Sequence, residues 1–272
     1  VNPTWWGEFE IADDGKWHRW QVGPAVVRVQ HRPGEWQIAV RPGDDPVSEE
    51  LVVNEILDAE PDDGAVPVRF ARHRSGTGLQ LVPLTTDRPV IVRSSQPFQV
   101  PPGEETTIYV STPLRIGFEA GRGKLRLLEE ALFRPSDTWF GPSPREGELC
   151  YASTTAARLS LENLPIRPHR AVTVVQIRNR ATTLLPLERI RLPMPQLSLY
   201  GSREGWLWTE TVTLERRAAD ELAEIRLARG APEQAGECQR VAGPRQATER
   251  GALIRSFGGL LGGFRRIHEL VD

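Results

Sequence analysis

Lysine is almost missing from this chain of 272 residues: Lys16 and Lys124 stand alone among 34 basic side chains, the rest being arginine. With a formal net charge of -2 at pH 7, there is no global basic field to recruit nucleic acid. Cysteine is equally scarce. Cys150 and Cys238 cannot build a disulfide scaffold, and no Cys-x-x-Cys pair is present for zinc. The five histidines, at positions 18, 31, 73, 169 and 268, are scattered without a His-x-His pair. No His-Glu-x-x-His, Gly-rich phosphate loop or Gly-x-Ser-x-Gly elbow occurs, so no metal and no cofactor is expected. A run of about 18 apolar residues is also lacking, which argues against a membrane-spanning helix. No secretory signal opens the sequence, and the expected location is cytoplasmic.

What is abundant is punctuation. Pro (23) and Gly (24) are spread along the chain and mark many short elements. Between them apolar residues recur with period two. In Ala25-Val-Val-Arg-Val-Gln30, Val27 and Val29 point one way and Arg28 and Gln30 the other. His31-Arg-Pro-Gly34 then turns the chain, and Glu35-Trp-Gln-Ile-Ala-Val40 returns as the second arm of a hairpin. Strand follows strand with no crossover helix between. This predicts a mainly β fold: two antiparallel β-sandwich-like domains packed together, plus a C-terminal amphipathic helix. The expected divisions are residues 1–125, residues 126–230, a flexible linker over 231–250 and the helix over 251–272. The acidic stretch 43–64 predicts a short helix capped by Ser48 or an irregular excursion, with a strand as the alternative.

Five of the eight tryptophans precede residue 37. They fill a core on one reading and form a stacking platform for a sugar or base on the other. The turns His31-Arg-Pro-Gly34 and His73-Arg-Ser-Gly76 carry similar residues. If their tips converge, His31, Arg32, His73 and Arg74, with Trp36 nearby, would form a site for an anion or a carbohydrate.

Near the midpoint, the stretch from Phe133 to Ala152, opening Phe133-Arg-Pro-Ser-Asp-Thr-Trp-Phe-Gly-Pro142, mixes turn residues with aromatics (Phe133, Trp139, Phe140, Tyr151) that a solvated linker has little use for. It reads as a junction between the two halves, with Trp139 and Phe140 inserted as a plug and Gly141-Pro142 turning the chain. Burial of Trp139 would make Trp139→Ala destabilising by about 3–5 kcal/mol. Farther on, Trp206, Trp208, Val212 and Leu214 are placed on one face of a strand, and Glu210 falls on that face too. Such an acid pairs with arginine, or else serves as a catalytic carboxylate with Asp137 or Glu146. At the C-terminus, Leu253, Phe257, Leu260, Leu261, Phe264 and Ile267 recur at helical spacing as one apolar stripe. Its internal glycines cost about 1 kcal/mol each in a free helix, so it should form only against a partner surface.

Residues 79–229 carry a resemblance to a known family. Asp87-Arg-Pro-Val-Ile-Val92, Ile108-Tyr-Val-Ser-Thr-Pro113, Thr138-Trp-Phe-Gly-Pro142 with Gly147-Glu-Leu-Cys-Tyr151, Leu187-Glu-Arg-Ile-Arg-Leu-Pro193 and Leu207-Trp-Thr-Glu210 are similar to the prokaryotic domain-of-unknown-function family 432. The resemblance implies no activity and no catalytic residues. For some members it implies a membrane-associated partner, a small mechanosensitive channel.

Three functions follow as expectations. The first is a non-enzymatic accessory protein that binds a protein partner or a second copy through residues 251–272, with peripheral membrane or channel association as a variant. The second is a binding module for a carbohydrate or anionic small molecule. The third is a hydrolase with a carboxylate pair drawn from Asp137, Glu146 and Glu210.

Overall fold

The computed structural model describes residues 3–59, 64–71, 76–121, 123–143, 145–153, 155–218, 222–247 and 253–258. The first strands are β1 (Gly7–Glu10), β2 (Trp17–Val22), β3 (Ala25–Arg32), β4 (Glu35–Arg41), β5 (Leu51–Leu57) and β6 (Val68–Ala71). The period-two pattern puts Trp20, Val22, Val27, Val29, Trp36 and Ile38 into one core. Trp5, Trp17, Trp20 and Trp36 are all buried, so the N-terminal tryptophans are chiefly core residues, with Trp6 half-buried. β5 occupies the stretch for which Ser48 suggested a helix cap. Its β-branched residues pair antiparallel with β2, and the Ser48 hydroxyl instead accepts from the Glu50 amide, 3.4 Å away, in a local turn.

Five strands follow: β7 (Gly78–Leu84), β8 (Val90–Val100), β9 (Glu105–Pro113), β10 (Arg115–Ala120) and β11 (Leu125–Ala131). The later chain supplies β12 (Asp137–Phe140), β13 (Glu148–Ala152), β14 (Arg170–Asn179), β15 (Leu185–Leu192), β16 (Leu199–Ser202) and β17 (Leu207–Thr209). Then come β18 (Val212–Arg216), β19 (Leu222–Leu227), β20 (Cys238–Ala242), β21 (Leu253–Arg255) and β22 (Phe257–Gly258). Helical structure among the described residues is limited to three 3-10 turns, at Leu161–Asn163, Met194–Gln196 and Glu233–Ala235. No helix among them is long and apolar enough to cross a membrane.

The strands form four mostly antiparallel sheets, ordered β5-β2-β3-β4-β6, β1-β7-β10-β11, β12-β13-β8-β15-β22 and β20-β16-β17-β14-β18-β19-β21, with β9 also paired to β14. β14 runs parallel to β17 and β18, and β13 runs parallel to β8. One hydrophobic core lies between the first two sheets. Ala171, Leu199 and Leu207 of the largest sheet enter it as well. The other core lies between the β8 sheet and the largest sheet, joining Val90, Val92, Leu187 and Ile190 to Ile108, Val175, Ile177 and Leu214. Core membership thus cuts across position 125. β8 and β9 belong to the second core, β10 and β11 return to the first.

Two expectations for the C-terminal part are corrected. Residues 238–242 of the expected flexible linker form β20, paired with β16. Beyond it the Arg245 and Gln246 amides both donate to the Pro195 carbonyl. The Arg245 guanidinium grips the Glu129 carboxylate and the Thr85 carbonyl, which ties this segment to the first core's outer sheet. The amphipathic helix is replaced over its first turns by β21, against β19, and β22, against β15. Internal glycines make the helical alternative costly, and two free strand edges offer this segment backbone pairing instead. Phe257, read as part of the helical stripe, is buried in the second core. Leu260, Leu261, Phe264 and Ile267 lie outside the described residues.

Candidate functional site

β12 and β13 form a hairpin at the edge of the β8 sheet, within the stretch read as the junction. Their register pairs Asp137 with Tyr151, Thr138 with Cys150, and Trp139 with Leu149. Alternation therefore splits the hairpin into two faces. On one, Phe140 and Cys150 pack with Ile91 in a small cluster of their own, with the Arg189 guanidinium 5.4 Å from the Phe140 ring centroid. Burial, followed by the charge of Glu148, pushes the Cys150 thiol up to about 12. A nucleophile with that pKa stays protonated and inert at neutral pH.

The other face begins in the second core at Tyr151 and runs outward to Leu149 and Trp139. There it passes the edge of the core and meets solvent. Trp139 is 43% exposed and Leu149 44%. Of the two residues expected to plug the junction, Phe140 is buried beside Ile91 and Cys150 of its own sheet, and Trp139 is not buried. The Trp139 ring is nevertheless held in place. Its indole N–H donates to the Ser143 carbonyl at 2.8 Å, and Gly147 lies so close beneath that a Cβ there would come within 2.9 Å of the ring.

A charged network anchors the base of the hairpin. Asp137 pairs with Arg88 at 3.2 Å and Arg134 at 3.5 Å. Arg88 lies over the Tyr151 ring, and the Tyr151 hydroxyl donates to Asp87 at 3.1 Å. Asp87 in turn faces Arg115, which pairs with Glu129 beside Arg245 and Arg126. Burial raises the Glu129 and Asp87 carboxyls. Bonds and charges outweigh it, from Arg245 and Arg115 at Glu129, and from backbone, Arg115 and Tyr151 at Asp87; both end below their usual range. Ionised carboxylates matched to arginines in this way are structural partners rather than proton donors.

Glu210 sits elsewhere. β14 pairs Val172 with Trp208 and Val175 with Val212, so residues 209–211 oppose only 173 and 174 across the strand break, three against two. The extra residue is a β-bulge at Glu210-Thr211. It reverses parity: Leu207 and Thr209 share a face with Val212 and Leu214, while Trp208 points into a third cluster with Val172 and Val174. The shared face read for Trp208, Val212 and Leu214 is thereby corrected, and Trp206 is 38% exposed. The buried Glu210 carboxylate accepts from the Ser198 amide at 2.7 Å and the Tyr200 hydroxyl at 3.3 Å. Glu210→Ala should cost about 1–3 kcal/mol in urea unfolding, since it strands both donors.

Asp137 and Glu210 are thus satisfied by different neighbours, and Glu146 is tied by its backbone to Ser143 in the hairpin turn. Among the described residues no group of three His, Cys, Asp or Glu side chains is placed to hold a metal ion. His31 and Trp36 are buried and stacked on each other, with centroids 4.0 Å apart. A buried pair cannot offer a platform to a ligand. Arg32 is exposed at the turn, and His73 and Arg74 fall outside the described residues. Leu253 lies in β21.

Sequence reasoning missed Leu149, although the Trp-Phe-Gly-Pro turn followed by Gly-Glu-Leu could have placed it opposite Trp139. It also missed His169, which is fully buried between Arg167 and Arg170 in sequence. No curated protein and no solved structure matches the chain. The family described as "Protein of unknown function (DUF432)" matches residues 5–262, nearly the whole of the described fold, and the chain belongs to that family.

Proposed function

We propose that the chain is a non-catalytic interaction module, built as two sandwich-like units packed together, that captures an apolar segment of another chain along the β12–β13 hairpin. The observation that carries this reading is the exposed cross-strand pair Trp139 and Leu149. It prolongs a core face into solvent on the outermost strand of its sheet. Rigid, half-buried tryptophan is the residue type that most often dominates binding energy at protein contacts. An edge strand also offers unpaired backbone groups for strand addition. A second copy of the chain carries a segment of the right chemistry in Leu260, Leu261, Phe264 and Ile267.

Sedimentation velocity on the full chain, on Trp139→Ala and on a chain ending at residue 258 tests this. Self-association that rises with concentration is expected, weakened about tenfold or more by either change. Because Trp139 is exposed, Trp139→Ala should lower stability by less than about 1 kcal/mol. A photo-reactive side chain at position 139 tests for other partners in cells. The reading fails if Trp139→Ala alters neither self-association nor the crosslinked species, or if it unfolds the chain.

A further inference from the structure

A second concave surface lies between the N-terminal segment and the β16–β20 pair. We infer that this groove is a binding site for an uncharged, hydroxyl-rich ligand, a neutral saccharide. It encloses about 510 Å³, within the range of about 300–1,000 Å³ typical of small-molecule sites.

Its apolar wall is Trp6. The ring is braced from behind by Trp5, edge to face at 5.5 Å between centroids. Trp5 is itself buried and fixed by an indole N–H bond of 2.9 Å to the Pro168 carbonyl. The Thr4 hydroxyl donates to the Trp6 carbonyl at 3.0 Å, which holds the backbone. The floor is Gly201, where a Cβ would lie 3.2 Å from two Trp6 ring atoms. Glycine therefore lets the indole settle close to the sheet. A sugar ring has a flat C–H face that packs on such a wall, and Trp combines that apolar area with little conformational freedom to lose.

The polar rim decides the ligand class. Arg203 and Glu237 form an ion pair of 2.7 Å, both side chains mostly exposed, with Ser202 and Gln239 beside them. Guanidinium, carboxylate, amide and hydroxyl together offer both donors and acceptors. The pair carries no net charge, so it gives a phosphate or carboxylate ligand no electrostatic advantage. Hydroxyl groups, which both donate and accept, match it better. The groove shares no residue with the β12–β13 hairpin, and its failure would leave that proposal standing.

Ligand-observed NMR and calorimetry on the full chain test the site, with maltotriose, cellotriose and chitotriose as probes and glucose 6-phosphate as the charged comparison. Saturable binding of at least one neutral probe is expected. It should weaken about tenfold or more in Trp6→Ala and be largely kept in Trp6→Phe. Arg203→Ala removes only an exposed side chain, so the fold should be intact, and a several-fold loss is expected there as well. The inference is overturned if no neutral probe saturates below about 10 mM, a weak limit for a functional site. It is also overturned if the charged sugar binds more tightly, or if Arg203→Ala and Trp6→Ala bind like the parent chain.

Discussion

Gly23→Ala should destabilise the protein by about 2–5 kcal/mol, one of the largest losses available to a single added methyl group. Gly23 opens the two-residue turn between β2 and β3, where Val22 pairs with Ala25, and its φ is +56°. For an L residue this left-handed conformation costs about 1–2 kcal/mol. The new Cβ would also lie 2.1 Å from Nδ1 and 2.8 Å from Cγ of His169. The His169 ring is fully buried, so it has no open space to move into, and overpacking of this kind costs about 1–3 kcal/mol. Urea unfolding measures the sum. The double variant Gly23→Ala/His169→Ala separates the parts, because removing the ring relieves the clash and leaves the backbone strain. A positive coupling between the two sites is expected. If Gly23→Ala lies within about 0.5 kcal/mol of the parent chain, the packing described for this turn is wrong.

The same histidine governs the second prediction. Burial, and then the neighbouring Arg170 and Arg167 guanidiniums, pull the His169 pKa from 6.5 down to about 3, against a smaller opposing pull from the Pro46 backbone. The folded state therefore keeps the ring neutral where the unfolded chain takes up a proton. A pKa depressed on folding makes stability rise with pH between the two values. The contribution is complete above about 6.5 and is lost as pH falls toward 3. At about 1.4 kcal/mol per unit, this group alone should lower stability by roughly 2–3 kcal/mol between pH 6.5 and 4.5. Urea unfolding across that window measures the slope. His169→Gln, whose side chain does not titrate, should flatten it. A slope equal to the parent's in that variant would assign the effect to other groups.

How far the sequence could be read depended on whether local pattern or long-range pairing decided the outcome. The β3–β4 hairpin was legible because alternation in 25–40 and the Pro33-Gly34 turn agree, and its Arg32 to Glu35 register is the one a two-residue turn dictates. For Trp20 and Trp36 the sequence left a core role and a stacking role open, and burial in the first core decides for the former. Residues 253–258 were misread because their helical spacing is real while the free edges of β15 and β19 that claim them lie some 30 to 70 residues upstream. The Glu210-Thr211 bulge was invisible for a related reason. Parity along a strand is kept or broken by its partner, and nothing in Leu207-Trp-Thr-Glu-Thr-Val212 announces the inserted residue. The candidate contact surface needed the structure outright. Trp139 and Phe140 are adjacent aromatics of similar appetite for burial, and only the hairpin's place at the rim of the second core decides that one is sheltered and the other meets solvent.

The interleaving of the two cores bears on how the chain is made. The first core is complete only when Leu199 and Leu207 reach it, and the second only when Phe257 does. During synthesis, then, the first core can largely assemble from residues 5–132 and waits only for Ala171, Leu199 and Leu207, whereas the second stays open until the C-terminal strands emerge. Pairings such as Glu105 with Arg178 span long stretches of chain, and closing them before any reward is gained slows folding. The second core is therefore the part that cannot mature early: the edges of β15 and β19 stay exposed until β22 and β21 arrive, or something shields them while they wait.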